Sequence, residues 1–247
     1  MIIDKEGKIC PFILNDIQNS YLEKRTQRDI ILKARQQGFS SLILALFGID
    51  FIMMENSYSV VIADNADNAK GLLERVKFFL KSYEQINKIK IPLKYDSKYE
   101  LHNSAINSKY IIGTAENTEV GRSKTITNLH LSEAAFYKHL LNVIASAGQA
   151  VTPSGYFVVE TTANGYNEFR KWWVESQNDE TGFQPLFYGA QDFYSPEFLE
   201  QKKKELKEKY QQEYPTTWEE AFLTSGEMYF NHESLTEYLK CSSPTAI

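Results

Sequence analysis

The stretch "IILKARQQGFSSLILALFGI", residues 30–49, passes from an apolar segment through a polar turn centred on Gly38 into a second apolar segment. A nucleotide-binding phosphate loop has that layout: strand, glycine-containing loop, cation, Ser or Thr, helix. Here the cation is out of place, because Phe39 follows Gly38 where the usual motif has Lys. Lys33 and Arg35 precede the glycine, and either can fold back toward bound phosphates; Arg would add forked hydrogen bonding. Ser40 or Ser41 can offer a hydroxyl toward Mg²⁺ and open a helix whose N-terminus favours phosphate. A Gly-Phe turn ahead of a buried helix explains the same letters without any ligand.

Outward from this stretch, strand-like and helix-like segments alternate. "DIILKA" (29–34) suits a buried strand and residues 40–54 the buried helix after it. "SYSVVIAD" (57–64) reads as a strand. Residues 65–83 begin with capping residues and carry Leu72, Leu73, Val76, Phe79 and Leu80 at helical spacing. "KIPLKY", "YELH" and "KYIIGTA" are short strand candidates, and "TITNLHLSE" (125–133) alternates before ending in an acid. "EAAFYKHLLNVIASAG" predicts a helix closed by Gly148, and "SGYFVVETTANG" (154–165) a strand that leaves into a polar turn. Residues 195–210 predict a highly charged helix, and "YPTTWEEAF" a short capped one. The pattern predicts an α/β fold with a mostly parallel central sheet flanked by helices, in which ligands bind at the carboxyl ends of strands. The expected organisation is a core over 1–192 and a helical segment over 193–247, whose last residues read as a tail or linker.

Composition narrows the class. The 247 residues are 43% apolar and 24% charged, ordinary for a globular chain, and the net charge of −5 provides no global basic field for nucleic acid. Cys10 and Cys241 form no Cys-x-x-Cys pair, and four scattered histidines make no zinc signature. The longest apolar run, Leu42 to Ile49, is far below the roughly 18–20 residues that span a bilayer, and no signal-peptide core opens the chain. A reducing, cytosolic setting without membrane contact is expected.

Three polar clusters fall where strands end: 35–41, 132–133 and 161–165. Glu133 suits an acid that orients a water for attack on a γ-phosphate. Ser132 stands where the usual pattern has an Asp serving Mg²⁺; a hydroxyl can instead bond a magnesium-bound water. Locally, Ser132 could simply cap the next helix, with Glu133 complementing its dipole. Thr161, Thr162 and Asn164 can sense a γ-phosphate or a nearby water, or merely form an Asn-Gly turn. The basic run 202–209 is interleaved with acids, as on a solvated helix.

Taken in order, "PFILNDIQ", "KARQQGFSS", "GRSKTITNLHLSEAAF", "ETTANG" and "YPTTWEEAFLTSGEMYF" resemble the large terminase subunits of tailed phages, the ATP-driven motors of viral DNA packaging. The resemblance runs from about residue 11 to residue 231 and implies a phosphate-loop NTPase architecture of the ASCE type. It implies ATP and Mg²⁺ as ligands. Gln18 would contact adenine, whose N6 and N7 suit an amide. Residues Lys33, Arg35, Gln36, Gln37, Gly38, Phe39, Ser40 and Ser41 would form the variant phosphate loop, with Arg35 as the displaced cation and Ser40 on Mg²⁺. Glu133 would be catalytic, and Arg122 a finger reaching a neighbouring subunit's site. Thr161, Thr162 and Asn164 would couple hydrolysis to movement. The implied partners are double-stranded DNA, a portal protein, a small terminase subunit and further copies in a ring, with a monomer in isolation, in the host cytoplasm. The family continues into a nuclease domain, so this chain is expected to be the ATPase domain alone. Competing functions are a non-hydrolysing nucleotide-binding scaffold and a helicase-like DNA-dependent ATPase.

Overall fold

The computed structural model describes residues 1–4, 6–117 and 124–223. A small antiparallel hairpin of β1 (Ile2–Ile3) and β2 (Ile9–Cys10) precedes α1 (Asp16–Lys24). Asn15 starts α1 with a capping box: its side chain accepts the Gln18 N–H, and the Gln18 amide oxygen accepts the Asn15 N–H. The chain then alternates through β3 (Arg28–Lys33), α2 (Phe39–Met53), β4 (Tyr58–Ala63) and α3 (Ala66–Asn87). Three strands follow, β5 (Leu93–Asp96), β6 (Glu100–Asn103) and β7 (Ser108–Thr114). After them come β8 (Ile126–Ser132), α4 (Leu140–Ala147), β9 (Val151–Thr161), α5 (Glu168–Gln177) and β10 (Gln184–Tyr188). Helices α6 (Pro196–Leu206), α7 (Tyr210–Glu213) and α8 (Trp218–Leu223) complete the described chain.

Eight strands form one sheet in the order β10-β3-β9-β8-β4-β7-β6-β5. Strands from β10 to β7 are parallel, and β6 and β5 extend the edge antiparallel. The sheet separates two apolar layers. Ile31, Val61, Ala63 and Val158 point into one, with α1, α2 and α3. Ile30, Leu32, Val60, Ile62, Leu129, Leu131 and Val159 point into the other, with α4, α5 and α8. Alternate residues of each central strand thus enter opposite cores, which is why β3 and β4 read as continuous apolar runs. This is the expected α/β architecture.

One expectation needs correction. The helix expected over 133–148 is broken: Glu133 adopts left-handed backbone angles (φ 55°), residues 134–136 make one 3-10 turn, and the α-helix begins at Leu140. Ser132 therefore caps no helix; its hydroxyl is donated to Glu160. The alternation in β8 separates two buried faces of the sheet. The strand lies between β9 and β4, and its polar residues Asn128, His130 and Ser132 are buried on the face beneath α2. There Asn128 donates to Asp50 and Ser59, and His130 edges onto Phe47.

Candidate functional site

The phosphate-loop-like turn is held by contacts that account for its sequence. Gly38 has φ +83°, a left-handed conformation that side-chain-bearing residues rarely adopt. A Cβ there would also lie 2.8 Å from Nε2 of Gln18. That amide donates to the Gly38 carbonyl at 2.9 Å, so Gln18 is packed against the loop from α1. Gln37 is buried and donates to the Gly189 carbonyl at 2.8 Å, while Gln36 takes a left-handed φ of 58°. Phe39 is fully buried, its ring 4.7 Å from Tyr188 and edge-on to Tyr21. Burying that ring contributes about 1.5–3 kcal/mol, so the residue in the usual lysine place anchors the loop to the core. Gly38 caps α2 without a side-chain hydrogen bond, leaving the N-terminus of a 15-residue helix uncapped by side chains.

The two candidate cations have different fates. Lys33, the last residue of β3, is buried, with Nζ 3.2 Å from Glu133 Oε1 and 3.1 Å from Glu160 Oε2. Burial opposes its charge, but the two carboxylates outweigh that and hold its pKa above the ordinary lysine range. Arg35 is more than half exposed and pairs with Glu213 of α7 at 3.1 Å. Its backbone is clamped as well: its N–H donates to the Glu213 carbonyl, and its carbonyl accepts from the Tyr194 hydroxyl.

Glu133 leaves β8 beside the end of β9. Its Oε2 accepts the Thr162 N–H at 3.2 Å and approaches the Thr161 hydroxyl at 3.4 Å. Its side chain is 31% exposed, so a carboxylate fixed by neighbouring strands still reaches solvent. A left-handed non-glycine residue costs on the order of 1–2 kcal/mol, and such outliers gather at functional sites. Asn164 donates to the Ala135 carbonyl and so closes the 3-10 turn behind Glu133. The structure thus brings Gln18, Lys33, Gly38, Ser40, Glu133, Thr161 and Thr162 to one end of the sheet. Arg122 lies outside the described residues.

Two participants escape the sequence patterns. Glu160, wholly buried, accepts from Ser40 and Ser132, each at 2.8 Å on Oε1, and lies 3.3 Å from His130 Nε2. Burial opposes its ionisation, yet Lys33 foremost, then His130 and Ser40, hold its pKa well below the ordinary carboxylate value. Arg75 of α3 donates to the Ser41 hydroxyl at 3.1 Å, placing a second guanidinium beside the start of α2. Ser40, Ser132 and Glu160 offer oxygen donors, the chemistry that a hard divalent cation takes. Glu160 Oε2 has no hydrogen-bond donor beyond its ion pair with Lys33. Among the described residues no group of three or more His, Cys, Asp and Glu side chains is arranged to hold a metal alone.

No protein-family model and no curated protein matches this sequence. Solved structures do. The ATPase domain of the Thermus phage P74-26 large terminase is similar over 87% of this chain and 98% of its own, with 15% identity and a TM-score of 0.65. The large terminase of the thermophilic bacteriophage D6E, in complex with ATP-γ-S, is similar over 81% of this chain and 51% of its own, with 12% identity and a TM-score of 0.60. For the bacteriophage HK97 large terminase the shares are 75% and 41%, at 15% identity and a TM-score of 0.59. This chain therefore spans about half the length of the longer terminases and nearly all of the isolated ATPase domain. At these identities the likeness establishes the fold alone: it is the fold of these large terminase structures.

Proposed function

We propose that the chain is the ATPase motor domain of a viral large terminase, hydrolysing ATP to drive double-stranded DNA into a procapsid. The observation that carries this reading is the placement of Glu133. Its carboxylate is fixed by Lys33 and the Thr162 N–H, yet open to solvent, at the strand ends that also carry the glycine turn and uncapped start of α2. The D6E large terminase, which shares the fold, has been solved with ADP and with ATP-γ-S.

In this reading the amides opening α2 receive the phosphates, and Gly38 lets them approach the backbone. Arg35 supplies the cation by exchanging Glu213 for phosphate oxygens, with Gln18 at the adenine side of the loop. Glu133 aligns a water for in-line attack and accepts its proton. Lys33 is a positioning residue: its ammonium, 3.2 Å from Oε1, aims Glu133. Ser40, with Ser132 behind it, would hold a Mg²⁺ arriving with the nucleotide, which would supply charge neutralisation at the phosphates. Thr161, Thr162 and Asn164 sense the change at Glu133, to which Thr162 is bonded directly. Arg122 completes the site of a neighbouring copy in a ring. DNA, portal protein and small terminase subunit are the partners of that ring, in the cytoplasm of the host. Among the described residues no helix is long and apolar enough to cross a membrane.

Phosphate release from ATP by wild type and Glu133→Ala tests the reading. Turnover is expected for the wild type, rising per molecule with protein concentration, and a loss of about 100-fold or more in the variant. Equal turnover in the two proteins overturns it.

A further inference from the structure

Glu160 has no part in the chemistry described so far, yet it bonds groups from three elements of the site, α2, β8 and β3. Its Oε1 receives the hydroxyls of Ser40, from the first turn of α2, and Ser132, from the end of β8. Its Oε2 faces Lys33 from β3. In the parallel pairing of β8 with β9, Ser132 and Glu160 are direct cross-strand neighbours. Such neighbours stand about 4.8 Å apart, a gap that the extra methylene of Glu helps to span. Position 132 is where the phosphate-loop ATPase pattern has an acid. The acid is present, one strand over, on the same face of the sheet and bonded to the serine of the loop.

The direction of those bonds matters. Ionised Glu160 is acceptor-only, so Ser40 and Ser132 must each spend their proton on it. Their oxygen lone pairs are then turned away from the carboxylate and are free for a cation or its water. A neutral amide at 160 would still accept, but it would leave the cation side without a balancing negative charge.

We propose that Glu160 replaces the acid missing from position 132, as the positioning residue that orients Ser40 and Ser132 toward the Mg²⁺ of bound ATP. This rests on the ATPase reading above and adds to it the origin of the metal-side charge. A β9 residue that reads as a buried structural acid thereby becomes part of the nucleotide site.

The test is Mn²⁺ binding to the protein–ATP-γ-S complex, followed by electron paramagnetic resonance, with ADP affinity in EDTA and thermal melting measured alongside. Glu160→Gln is expected to weaken Mn²⁺ by about tenfold or more, while metal-free ADP affinity stays within about threefold. Adding Ser132→Asp to Glu160→Gln returns the acid to β8 and is expected to recover most of the Mn²⁺ affinity. If Glu160→Gln does not fold, Glu160→Asp, which keeps the charge and shortens its reach, is expected to lose Mn²⁺ affinity without losing ADP. Wild-type Mn²⁺ affinity in the folded single variant, or no recovery with Ser132→Asp, overturns the assignment and leaves the ATPase reading standing. A wild type that binds neither nucleotide nor Mn²⁺–nucleotide overturns both.

Discussion

Nζ of Lys33 lies 3.2 Å from Oε1 of Glu133, a hundred residues further along the chain, and 3.1 Å from Oε2 of Glu160. One buried ammonium thus sits between two carboxylates carried by neighbouring strand ends. Removing it leaves the buried Glu160 carboxylate without its ammonium partner, which costs about 3–5 kcal/mol. Lys33→Met is expected to show that loss near neutral pH by urea denaturation.

The pH dependence of that loss has a defined sign. In the wild type, Glu160 is held below its unfolded pKa, so its stabilisation is full above the ordinary carboxylate value of 4.5 and is lost as pH falls through the depressed folded value. In Lys33→Met the unpaired, buried carboxyl is expected to have a raised pKa instead. The variant then gains stability from about pH 7 to pH 5 relative to the wild type, in which Glu160 contributes no change over that range. Parallel melting curves for the two proteins across this range would dismiss the pairing.

Gly38→Ala meets two separate obstacles, the positive φ and the Gln18 amide 2.8 Å from the new Cβ. The backbone component costs about 1–2 kcal/mol. Shortening Gln18 to Ala in the same chain relieves the contact and not the backbone conformation. The double variant is therefore expected to recover part of the melting temperature, with nucleotide binding still impaired.

Thr161 bonds the Ala135 N–H and approaches Glu133. Thr161→Val keeps its shape and removes both contacts, together with the hydroxyl's donation to the Thr162 carbonyl at 2.6 Å. In the proposed mechanism Thr161 aims the acid without binding nucleotide, so the expected result is a fall in kcat of about tenfold with KM little changed. A change confined to KM would place Thr161 on the nucleotide instead.

Arg35 and Glu213 make an exposed pair worth about 0–1 kcal/mol. Glu213→Gln is expected to leave the melting temperature nearly unchanged and to tighten ATP a few-fold by freeing the guanidinium. Arg35→Ala is expected to weaken ATP about tenfold, and Glu213→Gln to have no further effect in that background. Additive effects in the double variant would show that Arg35 does not reach phosphate.

Much of the layered sheet was legible because β3, α2, β4 and β8 lie in continuous or periodic apolar runs, and the glycine turn is local chemistry. Glu160 was not legible. It stands inside "YFVVETT", where its charge has no partner in sequence, and only the pairing of β9 with β3 and β8 brings Lys33 and Ser132 to it. The break after Glu133 was equally hidden, since helix-forming letters continue from Ala134 while the strand ends impose the left-handed turn. Helices α1 and α5 lie outside the expected elements, although Asn15 with Gln18, and Asn167 ahead of Phe169, Trp172 and Trp173, are ordinary start signals.

The four residues of α7 hold two ends of the site at once. Glu213 grips Arg35 through both side chain and carbonyl, and the neighbouring Gln212 donates to the Ala163 carbonyl in the turn beyond β9. A displacement of either turn must drag this short helix or tear it loose. In the proposed mechanism it is a crank pinned to two shafts, one at the turn of Arg35 and one at the turn behind Glu133, with the aromatic layer of Tyr194, Phe198 and Tyr214 as the load it would swing.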